Sequence, residues 1–107
     1  MSRHTDRAAE LIARAAAQFI ELEAANDSLI TVTRAVPSMR GARYTVFVSV
    51  LPDDKIRPAL SFLERRREDF SDYLKKHARL HPLPRVDFLL DDGEKNRQRL
   101  DELSGNL

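Results

Sequence analysis

The sequence predicts an α+β two-layer sandwich, with helices laid against one face of a small sheet. Three observations lead there. Residues 4–24 carry apolar side chains at helical spacing, and residues 29–36 and 43–50 alternate in the manner of strands. A second long helical stripe then separates this pair of strands from a third apolar run at 85–90. Helices and strands thus share one sheet too small to be doubly wound.

The first element is read from Ala8, Leu11, Ile12, Ala15, Phe19 and Ile20, which recur three and four residues apart and make one apolar stripe. Thr5 or Asp6 can cap its start, and Asn26-Asp27-Ser28 breaks its far end. Ile30 and Val32 then fall on one side of a strand, Thr31 and Thr33 on the other. Pro37 to Gly41 reads as a turn. After it, Tyr44, Val46, Val48 and Val50 share one face of a second strand, opposite Thr45, Phe47 and Ser49. So short a connector makes a hairpin the natural pairing.

Pro52-Asp53-Asp54 ends that strand and suits a helix start, because acids favour the positive end of the helix dipole. Ile56, Leu60, Leu63, Arg67, Phe70, Tyr73, Leu74 and His77 continue one stripe, and Arg67 interrupts it. A kink or two shorter helices is expected there. Pro82 and Pro84 forbid continuation. Arg85 to Leu90 forms the third strand, with Val86, Phe88 and Leu90 facing inward. It must pair with the hairpin, since nothing else can satisfy its edge. Asp91-Asp92-Gly93 closes it, and Glu94 to Leu103 is expected to form a short polar helix. The order is α-β-β-α(kinked)-β with that short C-terminal helix, and residues 1–107 form one domain whose core lies at about 4–92.

Composition narrows the function classes. Hydrophobic residues at 42% and charged residues at 33% suit a folded, highly charged domain. No apolar run reaches the roughly 20 residues needed to span a bilayer, and the N-terminus has no apolar signal core. The expectation is a cytoplasmic protein with no membrane partner. Without cysteine there is no disulfide framework, thiolate metal site or cysteine nucleophile. Eighteen Lys and Arg against seventeen Asp and Glu leave a net charge of +1. A nucleic-acid surface must therefore come from segregated charge, not from excess.

Segregation is visible. No acid occurs between Leu29 and Asp53, a window holding Arg34, Arg40 and Arg43 around the hairpin turn. This is the sharpest residue-level pointer to a polyanion partner; the structural alternative is charge that protects a sheet edge. Lys75, Lys76 and Arg79 lead into the proline-bound loop, and Arg85 can extend that patch. Complementing a helix dipole is their structural alternative. Arg65-Arg66-Arg67 is the densest cluster, open to phosphate contact or to a solvated helix face in which Arg65 pairs with Asp69. Likewise Asp72 can pair with Lys76. Three adjacent arginines cannot all point one way on a helix, so at most two share a surface. Arg3, Arg7 and Arg14 lie within about 40° of one another on a helix, where Glu10 and Glu21 partly neutralise them.

Other chemistries lack their residues. His77 and His81 have the i, i+4 spacing of two zinc ligands, yet Pro82 pushes His81 out of helical geometry and no third ligand is evident. Asp53-Asp54 and Asp91-Asp92 lack calcium-loop spacing. No nucleophile elbow or phosphate-binding glycine loop occurs. Gly41, Gly93 and Gly105 form no Gly-x-x-Gly clamp for single strands. Tyr44, Phe47, Phe70 and Tyr73 sit at periodic positions that favour the core over base stacking.

The ordered set Thr31-Val32-Thr33, Tyr44-Thr45-Val46-Phe47-Val48-Ser49, Ala78-Arg79-Leu80, and Pro84-Arg85-Val86-Asp87-Phe88 followed by Asp91 resembles the ribosome-binding factor A family along most of residues 3–92. The resemblance implies a type II KH-like fold and binding to the 30S subunit during late maturation. It further implies contact with small-subunit rRNA, no catalysis and no cofactor. It also inclines the reading of Arg65 and Arg66 toward RNA. Three departures stand out. Arg66-Arg67-Glu68 replaces the family's Ala-x-Gly bend, Arg40 replaces an acid after the first strand, and the long charged C-terminal extension is nearly absent. The expected RNA-contacting set is Arg34, Arg40, Arg43, Arg65, Arg66, Lys75, Lys76, Arg79 and Arg85. The protein is expected to be a monomer without a small-molecule substrate. The competing class is a KH-like interaction or dimerisation module that touches no RNA. A hydrolase would need a pocket with convergent carboxylates or histidines.

Overall fold

The computed structural model describes residues 3–38 and 42–93. Helix α1 (Arg3–Glu23) is followed by strands β1 (Leu29–Pro37) and β2 (Arg43–Leu51), helices α2 (Ile56–Arg65) and α3 (Arg67–His77), and strand β3 (Arg85–Leu90). A 3-10 turn at Asp53–Lys55 introduces α2. The expected C-terminal helix lies outside the described residues, as does the tip of the hairpin turn at residues 39–41.

The sheet has the order β1-β2-β3. β1 and β2 are antiparallel, as a hairpin requires, whereas β3 returns parallel to β2 after the helical crossover. All three helices lie on one face, so the layers are those the periodicity predicts. Ile12, Ala16 and Phe19 of α1 meet Val46 and Val48 of β2, Leu63 of α2, Phe70 and Leu74 of α3, and Phe88 of β3 in a single core. Phe70 is its hub, with ring centroids 5.3 Å from Phe19 and 5.4 Å from Phe88. Tilted and edge-on pairs of this kind contribute about 0.5–1.5 kcal/mol each beyond their buried area.

Two local features depart from simple periodicity. At Thr33 the β1–β2 register slips by one residue. Strict alternation would carry the Arg34 guanidinium under the helices; the bulge instead leaves Thr33 and Arg34 both on the helix-free face and returns Ala35 to the core side. Thr33 Oγ1 donates to Asp91 Oδ2 at 2.6 Å, tying the bulge to the end of β3.

The helical stripe breaks at Arg66, one residue before the expected position. Its backbone sits at φ −97°, ψ 9°, and its N–H donates to the carbonyls of both Phe62 and Leu63. Its φ is negative, so Arg66 does not require a glycine, and Glu68 lies in regular helix within α3. Arg66-Arg67-Glu68 can therefore stand where the resembled family has Ala-x-Gly.

Candidate nucleic-acid interface

Gln18 of α1 accepts a hydrogen bond from Tyr73 of α3, and Glu23 lies beside Arg66. The two helices therefore run antiparallel, and the C-terminus of α3 points toward the N-terminal half of α1. Arg85 N–H donates to the Ala42 carbonyl at 3.1 Å, joining the start of β3 to the base of the hairpin turn. Three segments distant in sequence thus converge at one end of the sheet: the first turns of α1, the hairpin turn and the proline-flanked loop.

Their side chains line a groove of about 660 Å³. Arg7, Arg79 and His81 are its polar wall; Leu11, Leu80 and Leu83 are among its apolar residues; among the described residues no acid lines it. At the same end of the sheet, Arg43 and Arg85 are direct register partners on β2 and β3, so both extend from the helix-free face, opposite the groove. Neighbouring strands are about 4.8 Å apart, and like charges placed directly opposite destabilise a sheet. Asp87 relieves part of this, with its Oδ2 3.9 Å from Arg43 Nε. Lys75, Lys76, Arg79 and Arg85 are exposed and make no ion pair among the described residues. The expected Asp72–Lys76 pair is therefore not formed. Because α3 ends at His77, Arg79 is not one helical turn beyond Lys75 as the spacing suggested; it turns into the groove instead.

The remaining expected residues lie elsewhere. Arg40 falls outside the described residues. Arg34 pairs across the hairpin with Phe47, four strand positions or about 13 Å from Arg43. Its guanidinium lies 4.5 Å above the Phe47 ring and 3.8 Å from Asp91. Arg65 is exposed and lines a second groove near Ala24 and Asp27, at the C-terminal end of α1. Taking 1.5 Å per residue, Ala24 is about 25 Å from Arg7 along that helix.

Arg66, next to Arg65, is engaged within the chain. It donates to Asp69 at 2.8 Å, approaches Glu23 at 3.8 Å and lies over the Phe62 ring. The Asp69 hydrogen bond, with Glu23 beside it, holds the guanidinium above its ordinary pKa. Asp69 thus pairs with Arg66 and not with Arg65, because the helix break shifts the i, i+4 geometry. Arg67, which stripe periodicity placed inward, donates to Asp87 at 3.0 Å and to Glu64 at 3.2 Å. It bolts the α2–α3 junction to β3. Sequence reasoning missed Arg7 as a groove residue, since Glu10 and Glu21 made its helix face look neutralised; Glu21 lines a groove at the other end of α1.

Among the described residues no group of three His, Cys, Asp or Glu side chains is placed to hold a metal ion. His77 closes α3 and stacks on Tyr73, while His81 lies in the loop. No described helix is long and apolar enough to cross a membrane.

Comparison with known proteins gives a consistent result. The family model described as ribosome-binding factor A matches residues 4–104. The crystal structure of ribosome-binding factor A from Thermus thermophilus superposes with a TM-score of 0.71 at 25% identity, covering 80% of this chain and 94% of that one. A homology model of the Thermus thermophilus factor, fitted into a cryo-EM map of a 30S complex, gives 0.68 at 26% identity over 78% and 91%. The solution structure of a Thermotoga maritima protein described as a ribosome-binding factor A shares the fold, with a TM-score of 0.58 at 22% identity over 79% and 80%. No curated protein matches the sequence closely enough to count as a relative. The solved relatives have the KH-like fold that the resemblance implied.

Proposed function

The chain belongs to the ribosome-binding factor A family, and on that premise we propose that it binds the immature 30S subunit and promotes its late maturation through contact with small-subunit rRNA. The reading is of a cytoplasmic, monomeric and non-catalytic factor that needs no cofactor. Cations at the hairpin and proline-loop end of the sheet engage phosphates. Arg43, Arg79 and Arg85 lead, Lys75 and Lys76 flank them, and Arg40 is assigned to the same turn. Arg34, Arg65 and Arg66 are secondary contacts at most. Phosphate contacts supply affinity and rRNA shape supplies selectivity. The work done is a population shift toward one rRNA conformation, with no bond made or broken.

One observation supports this above the rest. In a chain of net charge +1, the described residues lining the 660 Å³ groove include Arg7, Arg79 and His81 and no acid, and the register pair Arg43 and Arg85 lies at the same end of the sheet on its other face. Co-sedimentation with 30S particles across a salt series tests it. Binding led by phosphate contacts weakens steeply as salt rises, because each contact releases counterions. No association at low salt defeats the proposal.

A second reading has its own observation. Leu29, Val36, Leu51 and Leu89, all substantially exposed, project from the helix-free face of the sheet. Leu29 and Leu51 are direct register partners, and contiguous exposed apolar side chains mark protein interfaces. A concentration-dependent dimer in sedimentation equilibrium, without particle binding, would favour that reading.

A further inference from the structure

The groove between α1, the start of β2 and the proline-flanked loop combines cations with an apolar lining, and phosphate contact explains only the cations. Leu11, Leu80 and Leu83 offer apolar surface within it, and Pro82 and Pro84 stiffen the loop side. Tyr44 also lines the groove, although it is only 5% exposed. It makes no hydrogen bond among the described residues, yet no buried side-chain oxygen lacks a partner. The Tyr44 hydroxyl is therefore not sealed in the core, and the groove that Tyr44 lines is where a bound group can reach it.

A regular duplex surface presents phosphates and 2′-hydroxyls but keeps its base faces stacked. It would meet the arginines and leave the apolar lining in contact with water. An unpaired nucleotide uses both parts. Its sugar-phosphate matches Arg7 and Arg79, its base face covers the leucines, and its base edge reaches the Tyr44 hydroxyl. The volume, about 660 Å³, falls within the range of small-ligand pockets. Charge complementarity excludes a cationic occupant.

Resting on the proposed rRNA contact, we propose that this groove captures an unpaired nucleotide, so that the domain selects single-stranded RNA at this end of the sheet. Tyr44 and the leucines act as specificity-determining contacts, and Arg79 acts as a phosphate contact. Selectivity for unpaired RNA arises here without a Gly-x-x-Gly clamp.

The test uses the full chain with a fluorescein-labelled single-stranded decauridine and a labelled ten-base-pair RNA duplex, alongside 30S co-sedimentation. Ala42 is exposed and lines the groove, so Ala42→Trp fills it without altering charge or the core. The expected result is tenfold or greater loss of decauridine binding in Ala42→Trp, with an unchanged slope of log affinity against log salt. Arg79→Ala should lose affinity and flatten that slope by about 0.7, the increment for one phosphate on a single strand. Tyr44→Phe should retain the wild-type melting temperature and bind decauridine a few-fold more weakly. Equal binding of duplex and single strand by the wild type would overturn the inference, as would an unaltered Ala42→Trp affinity. Equal affinity for a polyglutamate peptide of matched charge would overturn it too, reassigning the groove to an acidic protein segment. Failure of the broader proposal looks different: the wild-type chain would not co-sediment with 30S particles at all.

Discussion

At the α2–α3 junction, Arg66 and Arg67 are spent on the protein's own acids: Glu23, Asp69, Glu64 and Asp87. At the opposite end of α1, Lys75, Lys76, Arg79 and Arg85 have no acid partner among the described residues. The first region is the denser in cations, with three consecutive arginines, although the hairpin window is the sharper pointer in the sequence. The contrast teaches that cation density along the sequence does not reveal which cations the fold leaves without an acid partner. For phosphate binding, an uncompensated cation has the advantage, because carboxylates beside a guanidinium offset its field and repel an incoming phosphate.

The largest expected effect tests the uncompensated end. Replacing Lys75, Lys76 and Arg79 together with Glu should reduce 30S binding on the order of a hundredfold or more at low salt. The melting temperature should stay near wild type, since none of the three supports the core. Unchanged binding would remove this patch from the interface.

Asp87→Asn probes the acid that serves both regions. It weakens the half-buried hydrogen bond from Arg67 and releases Arg43. Stability should fall by about 1–2 kcal/mol, the range for a hydrogen bond between charged groups discounted for partial exposure. In calorimetry that is a drop of several degrees for a domain of this size. Subunit affinity should rise a few-fold, because no carboxylate then offsets the charge of Arg43 beside Arg85. A fall in affinity would mean that Asp87 positions Arg43 instead of restraining it.

Arg67→Met isolates the junction. Melting should drop by about as much as in Asp87→Asn or less, with co-sedimentation unchanged, because the side chain faces β3. The smallest effect belongs to Arg66→Ala. Its interactions are solvent-exposed, and exposed ion pairs add little to stability. Neither melting nor subunit binding should move measurably. Weaker 30S binding in that variant at an unchanged melting temperature would break the comparison and return the junction to the interface.

Much of the fold could be read from local pattern. Ile12, Ala15, Phe19 and Ile20 repeat at helical spacing and are buried; Tyr44, Val46, Val48 and Val50 alternate and are buried; Pro82 and Pro84 separate α3 from β3. The bulge at Thr33 left no comparable trace, since Thr-Arg-Ala fits an unbroken strand equally well. Only the conflict between a charged Arg34 and a core-facing position gives it away, and that conflict exists once the partner strand fixes which side is covered. Arg7 was hidden for a related reason: its role depends on a loop more than seventy residues away.

The sequence by itself determined the element order, the helix-facing residues, the position of the bend to within one residue and the likeness to a ribosome-binding family. These follow from short-range periodicity and from residues whose backbone limits are intrinsic. The tertiary structure alone decided which cations are neutralised. Ion pairing depends on distances of 3–4 Å between side chains far apart in sequence, as when Arg67 meets Asp87 at 3.0 Å while Arg79 lines the groove with Arg7 and has no acid partner among the described residues. Coulomb energy falls with separation in space, and separation in space is what folding supplies.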